Sequence, residues 1–533
     1  MSDAVAVAAD HMMQRPAANP WLIAATVSLA AFMEVLDTAI ANVALPYIGG
    51  NLGASNDQST WVLTSYLVAN AIVLPITGWL VSLFGRKRFF MTCMGIFTVS
   101  SLFCGIAPSL GFLLLFRILQ GAGGGGLQPM AQAILADTFP PEKRGLAFSI
   151  YGITAVCAPA IGPTLGGWIT DNASWRWIFL INLPVGLIAM ALVYRLVQDP
   201  PHLVRRKRSE LKVDYVGFSL LALGVGAFQI LLDKGQEDDW FGSNFITTLA
   251  IVAVICLTAL IIYEWFHKDP IVDVRLFKNR NFATANAMMF MVGAVSFATT
   301  VLMPQFLQTL MGYTAQSAGM VLSASAVLLL IELPLVGRLI GLLQSRYLIA
   351  FGWITLAVGM YLSTQDLDLL ISFRSATWLR IGQYLPIGFI FVPATTAAYI
   401  GIREDKSNAV AGLVNFTRNM GSSVGTSVVA TLIVRRSQFH QARLVSSRGM
   451  SNARFQSAMN GLMQQLTHAG LGPHEAQRQA LVRMYAAVQA QAAALAYIDT
   501  YWVLGIAATT MFALSFVLKR NDPHAKRGSV LAH

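Results

Sequence analysis

The chain has 533 residues, of which 55% are hydrophobic and only 12% are charged. That charged share is about half of the roughly 25% usual in soluble domains, so water cannot solvate most of the surface. The composition excludes a cytosolic enzyme, a disordered chain and a disulfide-rich secreted domain. The net charge of +11 lies mostly in short loops between apolar runs, a placement that indicates a membrane protein rather than a nucleic-acid partner.

Fourteen stretches are apolar over about the 20 residues that a helix needs to cross a bilayer. In chain order, spans 1 to 14 are 21–44, 59–83, 89–107, 111–135, 146–170, 177–196, 214–233, 244–266, 283–309, 316–341, 347–364, 376–400, 408–432 and 496–518. The sequence therefore predicts an all-α integral membrane protein. Span 1 is long and follows a polar segment without a cleavage pattern, so we expect it to be retained as a membrane helix.

A weak internal repeat divides the chain. GWLVSLFGRKRFF starts at Gly78 after span 2, and GRLIGLLQSRYLI starts at Gly337 after span 10. Spans 1–6 then match spans 9–14, with spans 7 and 8 as an insert, although chance similarity between apolar sequences is the alternative. The predicted regions are an N-terminal tail (1–20), a first six-helix half (21–196), a linker with two inserted helices (197–281), a second six-helix half (282–518) and a C-terminal tail (519–533). Two six-helix repeats favour a transporter with its site between the halves.

The charge pattern predicts the orientation. Lys and Arg are concentrated in every second loop, for example at 86–88 and 205–208, whereas the short loops on the other side carry Arg176, Lys234 and Arg374. Positive loops stay in the cytoplasm, so we expect both termini there and residues 433–495 outside. Long outer segments cross regardless of their charge, so the arginines of 433–495 do not oppose this orientation.

Residues 433–495, here the hairpin segment, have helical apolar spacing on both sides of the breakers Gly470, Gly472 and Pro473. The spaced positions are Phe455, Met459, Leu462, Met463 and Leu466, then Leu481, Met484, Tyr485, Val488, Ala492 and Leu495. We therefore predict a helical hairpin outside the membrane. It is either a solvated cap or a docking surface for another envelope protein.

Charged side chains inside a span are costly and indicate functional sites. Glu34 and Asp37 share a face of span 1, Arg117 lies in span 4, Glu332 in span 10 and Arg418 in span 13. At about 1.5 Å per residue, Asp37 and Arg117 lie at one depth, and so do Glu332 and Arg418.

All 8 histidines lie outside the spans, which leaves a carboxylate as the proton carrier. Our hypothesis is that Asp37 carries the proton and Arg117 tunes it; a static ion pair between two helices is the alternative. Glu34 and Glu332 are weaker candidates, which would face a cationic substrate or the solvent of a cavity.

The glycine runs of spans 4 and 5 predict close helix packing rather than nucleotide binding. Residues 121–126 read GAGGGG, but no strand precedes them, and GxxxxGK[ST] does not occur in the sequence. Gly162, Pro163, Gly166 and Gly167 would kink or thin span 5, which serves packing or gating. The sequence predicts no catalytic residues and no metal site.

Five segments together resemble the major facilitator superfamily, in particular its fourteen-helix drug:proton antiporters of the EmrB/QacA type. They are LDTAIANVALP from Leu36, the loop from Gly78 through Gly85 to Arg86 and Arg88, RILQG from Arg117 to Gly121, APAIGPTLGG from Ala158, and NFTRNMGSSVGTS from Asn415. The similarity covers nearly the whole chain. One departure is Ser82, where the family loop often has an acidic residue that pairs with an arginine.

The resemblance implies export of amphipathic drugs by alternating access, driven by the proton motive force with no nucleotide or other cofactor. It implies a multi-pass protein of the bacterial inner membrane and coupling through Asp37 and Arg117. Gln120, Asn415 and Arg418 would act as secondary coupling or substrate-binding positions. The long outer segment is typical of the EmrB branch, which implies a periplasmic adaptor (a membrane fusion protein) and an outer-membrane channel as partners, with the hairpin segment as the adaptor contact.

Other functions stay open on the sequence alone. A facilitator or exporter of one dedicated metabolite would use the same fold. A membrane enzyme is less favoured because no nucleophile, base or metal set lies at membrane depth. A channel or an assembly scaffold is also less favoured, since nothing marks a pore ring and a scaffold would tolerate the loss of Asp37.

Overall fold

The computed structural model describes residues 19–199, 214–447 and 453–519, which form helices joined by turns and short loops. Helices α1 to α19 are Pro20–Leu52, Asn56–Phe84, Arg86–Gly105, Leu110–Gly124, Leu127–Thr138, Pro141–Gly152, Ala158–Asn172, Trp177–Leu180, Asn182–Leu196, Tyr215–Lys234, Asn244–Phe266, Arg280–Thr309, Ala315–Leu339, Ser345–Asp366, Phe373–Tyr384, Pro386–Ala398, Ser407–Ser447, Ala453–His468 and Pro473–Ser515. A π-helical turn, Ile153–Cys157, joins α6 to α7. The basic linker residues 200–213 and most of both predicted tails lie outside the described residues.

Thirteen crossings in the described ranges have the length and apolarity of a membrane span. Four of them are built from two consecutive helices: α4 with α5, α6 with α7, α8 with α9, and α15 with α16. Span 13 is the first part of α17, where Asn415 and Arg418 interrupt the apolar sequence. The predicted fold class, fourteen transmembrane helices in two halves plus an insert, is confirmed.

The two halves are α1–α9 and α12–α19, and they meet along two seams. Along one seam α2 packs on α17, and along the other α13 packs on α6, the π-turn and α7. The inserted helix α10 lies beside the first seam and contacts both α2 and α17. There, the Gln229 side-chain amide donates to Ser423 Oγ over 2.9 Å. The insert therefore bridges the two halves rather than standing apart from them.

The two repeated segments occupy matching places at these seams. A Cβ on Gly78 of α2 would lie 2.9 Å from Ala409 Cα of α17. A Cβ on Gly337 of α13 would lie 2.9 Å from the Gly145 carbonyl oxygen of α6. Each repeat thus contributes a glycine where the backbones of opposite halves touch.

Alternate loops collect on opposite sides of the bundle. On one side, here the basic side, Lys87 bonds Asp199 through its backbone and Lys406 pairs with Asp273 over 2.8 Å. On the other side, Lys234 pairs with Asp57 over 2.7 Å. The alternation predicted from the loop charges is thus present in the structure.

The hairpin segment is helical and extends from the membrane helices. α17 runs on to Ser447, the turn lies at Ala469–Gly472 with Gly470 at φ +94°, and α19 is continuous from Pro473 into span 14. Leu466 packs against Ala476 and Ala480, so the first predicted apolar stripe is a packed face. The second stripe is packed only in part: Leu481 and Tyr485 are exposed, whereas Ala492 is buried, and Ala476 and Ala480 make the contact with Leu466.

Close packing between α12 and α17 predicts a stability effect. A Cβ on Gly421 would overlap the carbonyl oxygen of Phe290, so we expect Gly421→Ala to lower the free energy of unfolding by about 1–3 kcal/mol. Gly50→Ala is the matched control, since a Cβ on Gly50 meets no atom within 4 Å. Thermal unfolding of purified protein in detergent measures both changes, and equal unfolding temperatures for the two variants would contradict the packing argument.

Candidate functional site

Asp37 and Arg117 form an ion pair inside the first half. Arg117 Nη1 lies 2.7 Å from Asp37 Oδ2, and both side chains are almost completely buried. Arg117 also donates from Nε to the Val62 carbonyl of α2 over 3.0 Å. The sequence places Asp37 and Arg117 at one depth, and in the structure the two side chains are in direct contact.

Neutral donors complete the coordination of Asp37. Its Oδ1 accepts from Gln120 over 3.0 Å and from Asn182 of α9 over 2.7 Å. Both amides also donate to Ser101 Oγ of α3, over 3.2 and 3.0 Å. Groups from α4 and α9 thus compensate the charge of Asp37, and Ser101 of α3 holds the two amides in place. A buried carboxylate requires such compensation.

Glu34 lies three residues earlier on α1 but has a different set of partners. Tyr66 and Asn70 of α2 donate to Glu34 Oε1 over 3.0 and 2.9 Å, and Gln128 of α5 donates to Oε2 over 2.5 Å. These donors are neutral, so Glu34 lacks the ion pair that compensates Asp37. In this structure both oxygens of Glu34 are bonded to protein side chains. Its contact with a cationic substrate or with cavity solvent stays a prediction.

The Glu34 cluster reaches into the second half. The side-chain amide oxygen of Gln128 accepts from Arg418 of α17 and lies 3.3 Å from the Tyr151 hydroxyl. Tyr151 donates its hydroxyl hydrogen to the Asn415 side-chain oxygen over 2.7 Å, and Asn415 donates to Gln132 over 2.5 Å. Arg418 and Asn415, placed in one motif by the sequence, therefore join α17 to α5 and α6 across the seam.

Tyr66 connects the two carboxylates. Its ring lies under the Arg117 guanidinium at 4.2 Å, and its hydroxyl donates to Glu34. A continuous chain of contacts thus runs from Asp37 through Arg117 and Tyr66 to Glu34, and from there to α17. A change in the charge of Asp37 or Glu34 therefore alters the electrostatic interactions of the groups that join the two halves.

A small cavity of about 10 Å³, about the size of one water molecule, lies between the halves beside this chain. Its lining includes Ser296, Tyr384, Phe391 and Arg418. A larger pocket of about 340 Å³ opens between α14 and α19 beside Tyr361 and Trp502, away from the predicted site residues. The central site is therefore nearly closed.

Glu332 does not join the Arg418 network. It is buried on α13 against Gly388 of α16, where a Cβ would lie 2.5 Å from Glu332 Oε1. Neither carboxylate oxygen has a hydrogen-bond partner among the described residues. Glu332 and Arg418 share a depth in the sequence argument, but they face different neighbours.

Arg86 forms an ion pair on the basic side despite the serine at position 82. Arg86 Nη2 lies 2.6 Å from Asp137 Oδ2, and Ser407 Oγ of the second half donates to the same oxygen over 3.3 Å. The acid comes from the end of α5 rather than from the loop itself. Gly85, at φ +81°, lets the chain turn from α2 into α3 at this point.

The glycines predicted to serve packing do so at several positions. A Cβ on Gly121 would overlap the Tyr66 carbonyl, and a Cβ on Gly162 would overlap Ala39, two residues after Asp37. A Cβ on Gly166 would lie 3.1 Å from Ile40. Gly167 meets nothing within 4 Å, and Pro163 lies inside α7, which follows the π-turn at the seam. α7 therefore lies close against the helix that carries Asp37.

Sequence reasoning missed several residues of the site. Ser101, Asn182, Tyr66 and Gln128 are uncharged polar residues inside apolar spans, and that polarity was their only signal. Arg380 was also missed, although it stands inside span 12 and meets the criterion used for Arg117. It is fully buried.

Two helical halves around a nearly closed polar centre define a membrane transporter. The family model of the Major Facilitator Superfamily matches residues 27–426. The chain belongs to this superfamily, as its motifs indicated.

Two curated relatives and one solved structure support this assignment. The multidrug export protein EmrB of Haemophilus influenzae is 40% identical, with 79% of this chain and 82% of that protein covered. The fatty acid resistance protein FarB of Neisseria gonorrhoeae is 40% identical, with coverage of 81% and 84%. A bacterial homolog of the human lysosomal transporter Spinster, solved in an inward-facing and unoccupied conformation, shares the fold at 16% identity, with a TM-score of 0.52 and coverage of 95% and 99%.

Because the Asp37–Arg117 pair is buried, we expect the stability losses of single substitutions in the pair not to add up in the double variant. We expect Arg117→Met alone to lower the free energy of unfolding by about 3–5 kcal/mol, because it leaves Asp37 without its cation. Adding Asp37→Asn should recover part of that loss. Thermal unfolding of the single and double variants tests this, with Arg403→Gln as the control, since its ion pair with Asp405 is exposed. Strictly additive losses would show that the two side chains are not energetically coupled.

Proposed function

We propose that the chain is a proton-coupled multidrug efflux transporter that exports amphipathic compounds by alternating access. The observation that carries this proposal is the chain of contacts from Asp37 to α17. It couples a titratable group in one half to the contacts between the halves. The names of the two relatives, multidrug export protein and fatty acid resistance protein, support transport out of the cell. We propose no catalytic role for any residue.

The proton step follows from the charges around Asp37. Protonation of Asp37 removes the negative charge that pairs with Arg117. The Arg117 guanidinium is then held less strongly and moves away from the Tyr66 ring. Movement of Tyr66 changes the donors of Glu34, and through Gln128 the position of Arg418. We propose that this sequence loosens the seam at α17 and opens the centre to one side. Release of the proton restores the pair and the closed arrangement.

The remaining candidates act on the seams in this proposal. Arg86 with Asp137 and Ser407 closes the basic side, and Gly78 allows the same close approach. Gly162 and Gly166 let α7 slide along α1 beside Asp37. The proton motive force supplies the energy, and we propose that no nucleotide, metal or other cofactor takes part.

The protein is a multi-pass protein of the membrane, and we propose that this is the inner membrane of a bacterium with the basic side in the cytoplasm. Both termini then lie in the cytoplasm and the hairpin segment lies in the periplasm. We further propose that the hairpin segment contacts a periplasmic adaptor that leads to an outer-membrane channel. Leu481, Val482 and Tyr485 form an exposed apolar strip on α19 that suits such a contact.

A facilitator or exporter of one dedicated metabolite is the second candidate. Glu332 bears on this candidate, because a buried carboxylate with no cationic side chain at ion-pair distance among the described residues suits one cationic compound better than a varied set. If Glu332→Gln changes export of cationic and neutral compounds equally, Glu332 does not select by charge.

The proton role of Asp37 predicts loss of coupling in Asp37→Asn. In proteoliposomes with an imposed pH gradient, lipophilic cations, neutral dyes and weak acids should collapse the gradient with wild type. With Asp37→Asn the collapse should fall to the rate of protein-free vesicles, because the amide cannot carry a proton. Asp368→Asn, an exposed loop carboxylate, should behave as wild type.

Either of two results would contradict this proposal. Unchanged proton movement in Asp37→Asn would leave the pair a structural link between helices. Equilibration of compounds by wild type without any proton movement would favour the facilitator.

If the exposed strip contacts an adaptor, a substitution there should lower the drug resistance of cells without changing transport by the isolated protein. Tyr485→Asp places a charge on the exposed strip, so it should lower drug resistance of cells while leaving proton movement in proteoliposomes unchanged. The matched control is Glu475→Asp at the far end of α19, which retains the charge and should change neither readout. Wild-type resistance in Tyr485→Asp cells would show that the strip is a solvated cap.

A further inference from the structure

The second half contains its own copy of the Arg117–Gln120 arrangement. Ser109 caps α4 and Arg117 follows eight residues later, while Ser372 caps α15 and Arg380 follows at the same interval. Three residues beyond each arginine stands a glutamine, Gln120 or Gln383. The helix that holds the buried arginine is therefore in the same register in both halves.

The bracing of the glutamine is also repeated. Gln383 donates to Ser363 Oγ of α14 over 2.8 Å, as Gln120 donates to Ser101 Oγ of α3 over 3.2 Å. In each half the serine lies on the third span and the glutamine on the fourth. The framework around the arginine has thus been kept on both sides of the molecule.

The carboxylate is the part that the second half lacks. Arg380 Nη2 donates to Thr300 Oγ1 of α12 over 2.8 Å, where Arg117 has Asp37 of α1. Within the described ranges, Nε and Nη1 of Arg380 have no hydrogen-bond partner and no carboxylate lies at ion-pair distance, although the side chain is fully buried. The Tyr384 ring, 4.1 Å away, is the other group that stabilises the cation.

Such a cation needs an anion from elsewhere. A guanidinium stays protonated in proteins, so Arg380 cannot become neutral as the unpaired Glu332 can. An uncompensated buried charge is strongly destabilising, and a single hydroxyl with one aromatic ring offsets only part of that cost. Nη2 donates one N–H to Thr300 and has a second one. Together with the free N–H on the same edge, from Nη1 or Nε, it presents two parallel donors to the two oxygens of a carboxylate.

The group lies next to the centre of the transporter. Thr300 is one turn from Ser296 on α12, and Arg380 is one turn from Tyr384 on α15. Ser296 and Tyr384 both line the central cavity, on the side shared with Arg418. Tyr384 therefore borders the central cavity and also contacts the Arg380 guanidinium, 4.1 Å from its ring.

We propose that Arg380 and Thr300 bind the carboxylate of anionic amphipathic compounds that the transporter carries, a substrate class that rests on the export function proposed above. The compound supplies in the second half the acid that Asp37 supplies in the first. Chloride shares the negative charge but not the two-oxygen geometry, so the carboxylate is the ligand that fits the guanidinium.

Binding to the purified full-length protein in a neutral maltoside detergent tests the proposal. The probe is a dansyl-labelled aminoundecanoic acid, and its methyl ester has the same chain without the charge. Wild type should prefer the acid, and Arg380→Gln should weaken acid binding about tenfold or more, the effect of a lost charge-assisted hydrogen bond, with ester binding unchanged. Arg374→Gln, at the exposed start of α15, is the matched control and should bind both probes as wild type.

Two further variants keep the test valid if Arg380→Gln unfolds. Arg380→Lys retains the charge without the planar fork, so acid binding should be intermediate. Thr300→Asp rebuilds the arrangement of the first half, so it should abolish the acid preference while its unfolding temperature equals or exceeds that of wild type.

Several results would overturn the proposal. Equal weakening of acid and ester in Arg380→Gln would make the residue a packing element. Retained acid preference in Thr300→Asp would place the carboxylate elsewhere. Protection of wild type by chloride against heat, lost in Arg380→Gln and unmatched by the acid, would define an inorganic anion site instead.

The test also separates this site from the proposed export function. Binding of the acid and the ester to wild type in detergent needs no proton gradient, so it is measured independently of proton movement. If wild type moves no protons in proteoliposomes but still prefers the acid through Arg380, the export function fails and the binding site stands.

Discussion

A charge inside a bilayer is costly unless the protein compensates it, and the arrangement of the first half around Asp37 follows from that constraint. Asp37 is bonded to groups from α4 and α9, and those groups are braced by α3 and by the backbone of α2. The helices must approach closely for these bonds to form, which the glycine at 121 permits against α2. The apolar surfaces make the bundle, and the ion pair with its neutral donors links α1 to α4 and α9 across the inside of the first half.

The second carboxylate of α1 turns this local constraint into one that involves both halves. Glu34 lies on a neighbouring part of the same helix face, and its donors come from α2 and α5 of the first half. One of them, Gln128, is in turn bonded by Arg418 of α17. Because Tyr66 touches both clusters, neither carboxylate can change its charge without disturbing the other. Alternating access needs such a link, since a proton has to alter contacts between bodies that are otherwise packed as separate helical bundles.

The sequence predicted the parts of this arrangement that depend on length, periodicity and depth. Span lengths predicted fourteen crossings, and thirteen in the described ranges have the length and apolarity of a span. Depth along the helix placed Asp37 with Arg117. The partners Ser101 and Asn182 could not be assigned from the sequence. Uncharged polar residues are common in spans, and the spacing of residues along one helix does not show which distant helix it contacts. The hairpin segment shows the same limit: helical period predicted its helices, but α19 packs through small alanines and leaves Leu481 exposed. Asp137 was missed because it lies at the end of α5, outside the loop that carries Arg86.

The comparison of the two halves adds a reason why one framework would be kept twice with different chemistry. Both halves hold a buried arginine beside a glutamine that is fixed by a serine from the third span. Asp37 compensates the first arginine from inside the protein, whereas Thr300 leaves the second arginine a cation with unused donors. In our proposals a proton acts on the first copy and the carboxylate of a carried compound binds to the second. The same geometry then serves two different ligands, and the helices that carry Tyr66, Gln128 and Arg418 are among those that join the halves.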